Sequence, residues 1–370
     1  MKVIAFYLPQ YHAIPENDEW WGKGFTEWTN LKKAKPLFEG HNQPRVPYDE
    51  HYYNLLDADE LIRQANIAKE NGVYGFCIYH YWFNGHMLLQ KPVELLLKEK
   101  RADINYCICW ANESWTNAWV SSSDKFLIKQ KSGDKAEWIE HFNYLLPFLK
   151  DERYIRVDGK PLFVIYRPEL FSNIGEMIEL WNQLAKDNGL GGMSFAYQAF
   201  ESKLSSEASF EHRIEYQPNY ANYDINHDKH KMLKSIKHAL VKIFRPFNIN
   251  LEYAHPQGLV KRDYDQTWNA ILNRKPTDHK SIPGAFVDWD NTPRKAERGS
   301  VMVGYTVDKF EKYLEQQIIH AKNDYHSDFL FIFAWNEWTE GGYLEPDVKE
   351  GYGRLNAVKE ALLATNEMEL

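Results

Sequence analysis

The stretch Phe329-Leu-Phe-Ile-Phe-Ala-Trp-Asn-Glu-Trp-Thr-Glu-Gly-Gly-Tyr-Leu-Glu-Pro346 begins with an apolar run that ends abruptly in polar and acidic residues. A continuous apolar run predicts a strand that is buried on both faces, as in parallel sheets. Glu337 and Glu340 follow at the end of that strand, among tryptophans. Paired carboxylates beside aromatic rings, at the carboxyl end of a parallel strand, are typical of sugar chemistry. The simpler interpretation is a strand followed by a polar turn, which two tryptophans and two glutamates make less favourable.

Similar apolar runs recur along the whole chain and predict eight strands: Val3–Leu8, Tyr74–Trp82, Asn105–Ala111, Pro161–Tyr166, Ser194–Phe200, Arg213–Gln217, Pro283–Trp289 and Phe329–Trp335. Helical patterns separate most of them, over Asp57–Asn71, Lys91–Lys100, Lys135–Leu149, Ile174–Asp187, Val307–Asn323 and Leu355–Ala364. Eight strands that alternate with helices predict an α/β fold, a single (β/α)₈ TIM-type barrel with long βα loops over residues 1–370. A doubly wound open sheet is the alternative, and its nucleotide-binding version is disfavoured because no Gly-x-Gly-x-x-Gly or Gly-rich phosphate loop is present.

Composition narrows the class of function. The chain has 370 residues, and 15% of them are aromatic, including 13 Trp and 23 Tyr. Such an excess favours ligands with flat apolar faces, such as sugar rings. The formal net charge of −8 argues against nucleic acid as a partner.

The three cysteines and the first residues bear on cofactors and location. Cys77, Cys107 and Cys109 all lie in apolar runs, which predicts buried thiols in a reduced compartment and no metal site. No cofactor is predicted. Met1–Pro9 lacks the features of a secretory signal, and no apolar run is long enough to span a membrane, so we expect a cytoplasmic protein.

One segment, residues 220–262, departs from the alternating pattern and predicts an inserted helical region between the sixth and seventh strands. Within it, residues 227–245 carry six basic side chains against one acidic side chain, with apolar residues at helical spacing. A helix docked on the barrel with a solvated basic face is one interpretation. Peripheral contact with an anionic membrane or an acidic glycan is the other.

Polar and aromatic side chains occur at nearly every predicted strand end. The carboxyl ends of barrel strands converge on one mouth, so we expect these side chains to meet there and bind an oligosaccharide or polysaccharide. The predicted substrate-binding residues are Tyr7, Gln10, Tyr11, Trp28, His80, Tyr81, Trp82, Trp110, Asn112, Glu113, Tyr166, Gln198, Tyr216, Asp288, Trp289, Asn336 and Trp338.

Glu337 and Glu340 carry the strongest catalytic signal. If the backbone turns helically after Trp335, their three-residue spacing places the two Cβ atoms about 5–6 Å apart on one face. That separation suits a close carboxylate pair rather than one that leaves room for a water molecule.

Other positions keep two interpretations. Asn112-Glu113 predicts either a ligand contact or a structural salt bridge, and His80 either a ligand contact or a buried core histidine. The aromatic loop Trp20–Trp28 predicts a stacking wall over the mouth or a small core of its own. Asp288-Trp-Asp290 has the pattern with which many glycosyltransferases hold a divalent metal, but it is equally consistent with direct sugar contacts or with capping.

Five motifs together resemble the WbsX-like family: Ala5-Phe-Tyr-Leu-Pro-Gln-Tyr-His12, Trp21-Gly-Lys-Gly-Phe-Thr-Glu-Trp-Thr29, Tyr79-His-Tyr-Trp-Phe83, Trp110-Ala-Asn-Glu-Ser-Trp115 and Trp335-Asn-Glu-Trp-Thr-Glu-Gly341. That family is often catalogued among glycosyltransferases of surface-polysaccharide (O-antigen, lipopolysaccharide) loci. It is similar to glycoside hydrolase family 99, the endo-acting α-mannosidases. The motifs run over nearly the whole chain.

The resemblance implies a metal-free barrel and retaining hydrolysis of a manno-like α-glycoside through a 1,2-anhydro sugar. It makes Glu337 the base toward the sugar 2-hydroxyl and Glu340 the acid/base. Thr339 departs from the hydrolase motif, which has His there, and this puts the identity of the sugar in question. Two alternatives stay open: a sugar-nucleotide glycosyltransferase that uses Asp288 and Asp290, and a barrel that binds glycan without turning it over.

Overall fold

Nine parallel strands form the barrel wall in the computed structural model, which describes residues 1–116, 126–200, 209–226, 258–276 and 278–368. The strands are β1 (Lys2–Tyr7), β2 (Val73–Phe83), β3 (Asn105–Trp110), β4 (Lys160–Ile165), β5 (Ser194–Ala199), β6 (His212–Glu215), β7 (Ser281–Ile282), β8 (Gly284–Phe286) and β9 (Phe329–Phe333). Their spatial order is β7-β6-β5-β4-β3-β2-β1-β9-β8. The predicted TIM-type α/β barrel is confirmed.

The predicted seventh strand, Pro283–Trp289, forms β8, and the short strand β7 directly before it was not predicted; the seam of the barrel lies between these two strands. β7 pairs with β6 and β8 pairs with β9, while Pro283 between them has no N–H for the ladder. A Cβ at Gly284 would lie 1.8 Å from the Glu215 carbonyl oxygen, so only glycine allows the two backbones to approach this closely. The sheet is therefore nearly closed rather than continuous.

Besides the helical residues 219–226, ten helices surround or cover the barrel in the described part of the chain: α1 (Pro15–Trp21), α2 (Glu27–Lys33), α3 (Ala58–Glu70), α4 (Lys91–Lys98), α5 (Lys135–Leu149), α6 (Ile174–Asp187), α7 (Tyr264–Leu272), α8 (Thr292–Lys295), α9 (Val307–Asn323) and α10 (Gly353–Ala364). All six predicted helices are present, as α3, α4, α5, α6, α9 and α10. Asp57 caps α3 by accepting a hydrogen bond from the Asp59 N–H at 3.0 Å. None of the described helices combines the length and the hydropathy that a membrane crossing needs.

Aromatic side chains fill the barrel interior below the mouth. The ring of Phe6 on β1 lies 5.9 Å from Tyr79 on β2, 5.3 Å from Tyr216 beyond β6 and 5.6 Å from Phe331 on β9. Rings from four separate strands thus form a packed floor, and the site above it is closed from below. The three cysteines are buried and unpaired, as predicted.

The predicted basic helix over residues 227–245 lies outside the described residues. Of the predicted insertion, residues 219–226 are helical. Val260–Asp263 forms a short strand that pairs in parallel with Ser300–Val303.

Candidate active site

A tight turn after β9 carries the two candidate catalytic carboxylates. Asn336–Glu337 pairs antiparallel with Gly342–Tyr343, and Trp338–Glu340 between them forms one 3₁₀ turn. Glu337 lies just before this turn and Glu340 is its last residue, and both line the cavity at the barrel mouth. The turn ends at Gly341 with φ 71°, where a Cβ would also lie 2.7 Å from the Asp290 nitrogen.

Asn336 anchors this turn to the end of β1. Its Oδ1 accepts from the Leu8 N–H at 2.7 Å, and its Nδ2 donates to the Leu8 carbonyl at 3.0 Å. The Tyr11 hydroxyl donates to the Asn336 carbonyl oxygen. Asn336 and Tyr11, both predicted to bind substrate, are thus committed to contacts within the protein, which fix the position of the carboxylate turn.

Glu337 and Glu340 line a cavity of about 330 Å³ at the barrel mouth. Its wall combines aromatic rings with carboxyl, amide, hydroxyl and guanidinium groups, which is the lining expected of a sugar site. The lining residues are Leu8, Gln10, Trp21, Phe25, Asn30, Tyr79, Tyr81, Ala111, Glu113, Ser114, Trp115, Thr116, Leu127, Tyr166, Tyr216, Arg294, Glu337 and Glu340.

A single guanidinium contacts three carboxylates at the cavity wall. Arg294 Nη1 lies 2.6 Å from Glu340 Oε1, and Arg294 Nη2 lies 3.0 Å from Glu27 Oε2 and 3.5 Å from Glu337 Oε2. The Glu27 side chain is 0% exposed, that of Glu337 7% and that of Glu340 21%. We call Glu27, Arg294, Glu337 and Glu340 the site cluster.

Thr339 connects the carboxylate turn to the aromatic loop. Its hydroxyl donates to Glu27 Oε2, and the backbone N–H of Glu27 donates to the Gln10 carbonyl at 3.2 Å. Helix α2, which begins at Glu27, is thereby attached both to the turn and to the loop after β1. At the position where the related hydrolase motif has His, this chain has a hydroxyl group that orients a buried carboxylate.

The site cluster contains more carboxylates than cations, and this affects the protonation of Glu337. Burial, the neighbouring Glu340 and the neighbouring Glu27 raise its pKa well above the usual value, against the lowering effect of Arg294. Burial also raises the pKa values of Tyr79, Tyr81, Tyr166 and Tyr216, so these cavity phenols stay neutral and can donate hydrogen bonds.

Of the predicted substrate-binding residues, five line the cavity beside the two glutamates: Gln10, Tyr81, Glu113, Tyr166 and Tyr216. Tyr79, which was not predicted, belongs with them because it is two residues from Tyr81, and alternate residues of a strand share a face. Glu113 also forms an ion pair with Arg167 at 2.8 Å. The salt-bridge interpretation of Glu113 is therefore confirmed, and its ligand contact stays a prediction that its position at the cavity allows.

The structure places His80, Trp82 and Trp110 on the opposite face of their strands. His80 Nε2 lies 2.9 Å from Nε2 of His141 on α5, and burial lowers the pKa of His80 to about 3. Trp82 stacks on the His141 ring at 4.5 Å, and Trp110 packs edge-on against it at 4.9 Å. These three side chains form the barrel-to-helix interface and do not line the cavity.

Three other predicted contacts are likewise used within the fold. The Tyr7 hydroxyl donates to Gln64 Oε1 of α3 at 2.7 Å. Asn112 Oδ1 accepts from the Arg167 N–H at 2.7 Å. Gln198 Nε2 donates to the Tyr79 hydroxyl at 3.3 Å, in the barrel floor. None of the three lines the cavity.

The aromatic loop serves both of its predicted roles. Trp21 and Phe25 line the cavity. Trp28 is buried instead: its Nε1 donates to the Tyr53 carbonyl at 2.9 Å, and its ring lies 5.6 Å from that of Trp338. Trp338 in turn stacks on Tyr343 at 3.8 Å. Trp28 and Trp338 therefore belong to a small core behind the carboxylate turn.

Asp288 and Asp290 have all their oxygens occupied by protein donors. Asp288 accepts from Arg45 and from the Trp289 N–H, both at 2.8 Å. Asp290 Oδ2 accepts from Gln43 Nε2 at 2.7 Å and contacts His41 Nε2 at 2.8 Å, and its Oδ1 accepts from both the N–H and the hydroxyl of Thr292. Trp289 donates to Ser300 Oγ at 2.9 Å and does not line the cavity. This arrangement does not fit a divalent-metal site.

Arg294 and Glu27 are functional residues that the sequence did not single out. Glu27 lies inside the aromatic loop, where its neighbours drew attention to stacking rather than to charge. Arg294 lies in the four-residue helix α8 with no motif around it. Only the fold brings it to Glu340, which is 46 residues away in the chain.

A parallel barrel whose mouth presents two carboxylates among aromatic rings is the arrangement expected of a glycan site. The chain belongs to the WbsX family: the family model described as glycosyltransferase WbsX matches residues 3–358. This is a glycan-active enzyme family.

Relatives and solved structures agree with that assignment. Two proteins described as uncharacterized protein WxcX, from two strains of Xanthomonas campestris pv. campestris, are each 34% identical over 97% of this chain and 49% of their own length. The chain thus spans about half the length of these curated relatives. The GH99 endo-alpha-mannosidase from Bacteroides thetaiotaomicron has the same fold, with a TM-score of 0.56 at 13% identity over 99% of this chain and 98% of the other. A glycoside hydrolase-like protein matches with a TM-score of 0.57 at 12% identity, over 97% and 93% of the two chains.

Proposed function

We propose that this protein is a retaining, endo-acting hydrolase of a manno-like α-glycoside. The observation that carries the proposal is that Glu337, just before the 3₁₀ turn, and Glu340, at its end, both line one cavity with aromatic walls. The GH99 endo-alpha-mannosidase with the same fold supports the substrate class. The reaction is expected to pass through a 1,2-anhydro sugar.

Glu337 is proposed as the base that takes the proton of the sugar 2-hydroxyl while that oxygen attacks the anomeric carbon. A general base is most effective when its pKa approaches the working pH. The carboxyl of Glu337 is buried beside two other carboxyls, and its pKa is raised in that direction.

Glu340 is proposed as the acid/base. It would protonate the leaving oxygen in the first step and remove a proton from water in the second, when water opens the 1,2-anhydro ring at the anomeric carbon and Glu337 returns its proton to the 2-oxygen. The second step needs access to solvent, and the Glu340 side chain is 21% exposed against 7% for Glu337. Arg294 contacts both carboxylates and limits how far they move between the two steps.

The aromatic rings and neutral phenols of the cavity are proposed to bind the sugar itself. Trp21, Phe25 and Trp115 offer apolar faces for ring stacking. Tyr81, Tyr166 and Tyr216 offer hydroxyl donors and acceptors for sugar hydroxyls.

A screen of oligosaccharide and aryl α-glycosides, with NMR of the first-formed anomer, tests this proposal. We expect the α-anomer to appear first, because two inversions at the anomeric carbon retain its configuration. First formation of the β-anomer, or no hydrolysis of any α-linked substrate, would contradict it.

A sugar-nucleotide glycosyltransferase is the second candidate, supported by the description of the family as glycosyltransferase WbsX. It would have to work without Asp288 and Asp290 as metal ligands, because protein donors occupy their oxygens. Calorimetry with nucleoside diphosphate sugars distinguishes the two candidates. Tight binding of one of them, with transfer of its sugar to an acceptor glycan, would favour the transferase.

A further inference from the structure

Glu27 is a buried carboxyl group of the site cluster that the mechanism proposed above does not use. It is the first residue of α2, its side chain is 0% exposed, and its backbone N–H donates to the Gln10 carbonyl oxygen at 3.2 Å. Glu27 does not line the cavity, so it does not reach a substrate bound there. Any effect of Glu27 on the reaction must therefore pass through the groups that it contacts.

The contacts of Glu27 decide how Arg294 is shared among the carboxylates. Arg294 Nη2 lies 3.0 Å from Glu27 Oε2, which is a hydrogen-bond distance, but 3.5 Å from Glu337 Oε2, which is the distance of an ion pair alone. Glu337 Oε2 is buried and accepts no hydrogen bond from the described residues. Glu27 thus accepts the N–H that would otherwise be available to Glu337.

Thr339 fixes the Glu27 carboxylate in this position. The Thr339 hydroxyl donates to Glu27 Oε2, the same oxygen that Arg294 contacts. Glu27 Oε1 is buried, and no donor to it lies among the described residues. A buried carboxylate that only stabilises a fold usually has donors at both oxygens. The arrangement of Glu27 therefore favours a role in the charge of the site cluster.

The site cluster contains more carboxyl groups than cations, and its other titratable neighbours are phenols. In the described part of the chain, the groups that face Glu27 and Glu337 are Arg294 of α8, Glu340 of the carboxylate turn, Tyr11 after β1, Tyr79 and Tyr81 of β2, and Tyr216 after β6. Burial raises the pKa of each of these four tyrosines, so they stay neutral. The charge around Glu337 therefore depends on how Arg294 is divided among three carboxyl groups.

We propose that Glu27 is a positioning residue for the proposed base: it holds Arg294 away from Glu337 and so keeps that carboxyl group able to take the proton of the sugar 2-hydroxyl. Without the charge of Glu27, the guanidinium would move toward Glu337 and stabilise its carboxylate form, which makes a weaker base. The directions agree with the pKa of Glu337, which burial, Glu340 and Glu27 raise and Arg294 lowers. The catalytic consequence rests on the proposed function, whereas the effect of Glu27 on the ionisation of Glu337 does not.

The test is a pH titration of the Glu337 carboxyl group by ¹³C NMR, on the full chain with labelled glutamate side chains. The signal that is missing in Glu337→Gln identifies this group. Glu27→Gln replaces the carboxylate by a neutral group of nearly the same shape, and we expect the titration midpoint of Glu337 to fall by about one pH unit. An unchanged or higher midpoint would overturn the proposal.

Glu60→Gln is the matched control. Glu60 lies in the first turn of α3, is 4% exposed and pairs with Arg63 at 2.7 Å, so it resembles Glu27 in burial and in its partner. It lies outside the site cluster, and its replacement should lower stability while leaving the Glu337 midpoint in place. Equal shifts in the two variants would mean that Glu27 acts only through the stability of the fold, and this would also overturn the proposal.

Initial rates on an α-linked oligosaccharide carry the test to the reaction. Glu27→Gln should move the acid limb of the kcat/KM profile to lower pH by the same amount and lower kcat about threefold at neutral pH, with KM unchanged. A raised KM with kcat unchanged would contradict the proposal. If the original protein hydrolyses no α-glycoside, the proposed function fails, and the NMR titration alone decides the role of Glu27.

Glu27→Asp replaces Glu27→Gln in these measurements if circular dichroism shows that the glutamine variant does not fold. Its carboxylate is one methylene group shorter and would withdraw from Arg294. The Glu337 midpoint should then fall in the same direction by a smaller amount. No change of the midpoint in Glu27→Asp would count against the proposal as strongly as none in Glu27→Gln.

Discussion

Two clusters of arginine and acidic residues lie side by side above the ends of β8 and β9, and they differ in how completely their oxygens are bonded. In the site cluster, Glu337 is only 3.5 Å from Arg294 and faces a cavity. We call the second cluster the wall cluster; it consists of His41, Gln43, Arg45, Asp288, Asp290 and Thr292. In it, each carboxylate oxygen of Asp290 accepts a hydrogen bond from another group of the protein.

The pKa values of the carboxyl groups in the two clusters are shifted in opposite directions. The pKa of Asp290 is lowered to about 2, because hydrogen bonds from His41, Thr292 and Gln43 and the charge of Arg45 outweigh its burial. The pKa of Glu337 is raised, because burial and two carboxylate neighbours outweigh one arginine. Similar residue types thus give a carboxyl group with a lowered pKa in one cluster and one with a raised pKa in the other, and the number of donors decides which.

The wall cluster also supports the site cluster mechanically. Arg45 Nη1 donates to the Gly341 carbonyl at 3.1 Å, and the Asp290 N–H donates to the Glu340 carbonyl at 2.7 Å. The ends of the carboxylate turn are therefore attached to residues whose own charges are fully compensated.

The largest expected difference between the clusters is in activity. Glu337→Gln and Glu340→Gln should each lower kcat/KM by about 10²–10⁴-fold, since each removes a proton-transfer group. Asp288→Asn, the matched change in the wall cluster, should lower it by less than about tenfold, because it touches no reacting atom. Initial rates on an α-linked oligosaccharide measure both. Full activity in either glutamine variant would refute the assignment of the site.

The second difference is in stability and in its pH dependence. Asp290 has a folded pKa of about 2 against an ordinary value of 3.8, so its ionisation stabilises the protein above pH ~4, and that contribution is lost as pH falls toward 2. Asp290→Asn should therefore lower the free energy of unfolding at neutral pH by about 2–3 kcal/mol. Glu337 has the opposite sign: its folded pKa is raised, so its contribution is lost as pH rises. Glu337→Gln should therefore stabilise the protein relative to the original chain, and increasingly so as pH rises above the ordinary value of 4.5.

Urea denaturation of both variants from acidic to neutral pH measures these free energies. If the changes in unfolding free energy of the two variants depended on pH in the same direction, the proposed electrostatic difference between the clusters would be wrong.

The third difference is between the two arginines. Arg294→Lys retains the charge but not the planar fork that reaches several carboxylates. It should lower kcat about tenfold and shift the acid limb of the kcat/KM profile to higher pH, because Arg294 lowers the pKa of Glu337. Arg45→Lys is the matched control and should cost stability while leaving that pH limb in place. An unshifted limb in Arg294→Lys would show that the guanidinium does not set the ionisation of Glu337.

The smallest expected effect is that of the two threonine hydroxyls. Thr339→Val removes the hydrogen bond to Glu27 at nearly constant shape and should lower kcat/KM a few-fold, about 1 kcal/mol of barrier. Thr339→Ser should restore it. Thr292→Val removes the donor to Asp290 and should change the unfolding free energy by a similar amount without altering kcat/KM. If both valine variants lost the same amount of kcat/KM, the two clusters would not differ in their effect on activity.

The sequence was a good guide to the strands and to the carboxylate turn, and a weaker guide to which side chains face the mouth. Continuous apolar runs are strong signals of buried parallel strands, so all eight predicted strands occur, and the only barrel strand that was not predicted is the two-residue β7 before Pro283. The error in selecting His80 and Trp82 came from taking consecutive residues at a strand end, although alternation sends only Tyr79 and Tyr81 inward. The register of the strands in the barrel decides which of the two alternating sets of side chains faces inward, and that register cannot be read from the sequence.

By itself, the sequence determined the barrel and the position of Glu337 and Glu340 at its last strand, because burial on both faces and a three-residue spacing are local properties. Only the tertiary structure decided that Glu27 and Arg294 join them and that Asp288 and Asp290 do not. The physical reason is that the state of a carboxylate depends on how many donors surround it. Those donors come from residues that only the closed barrel brings together.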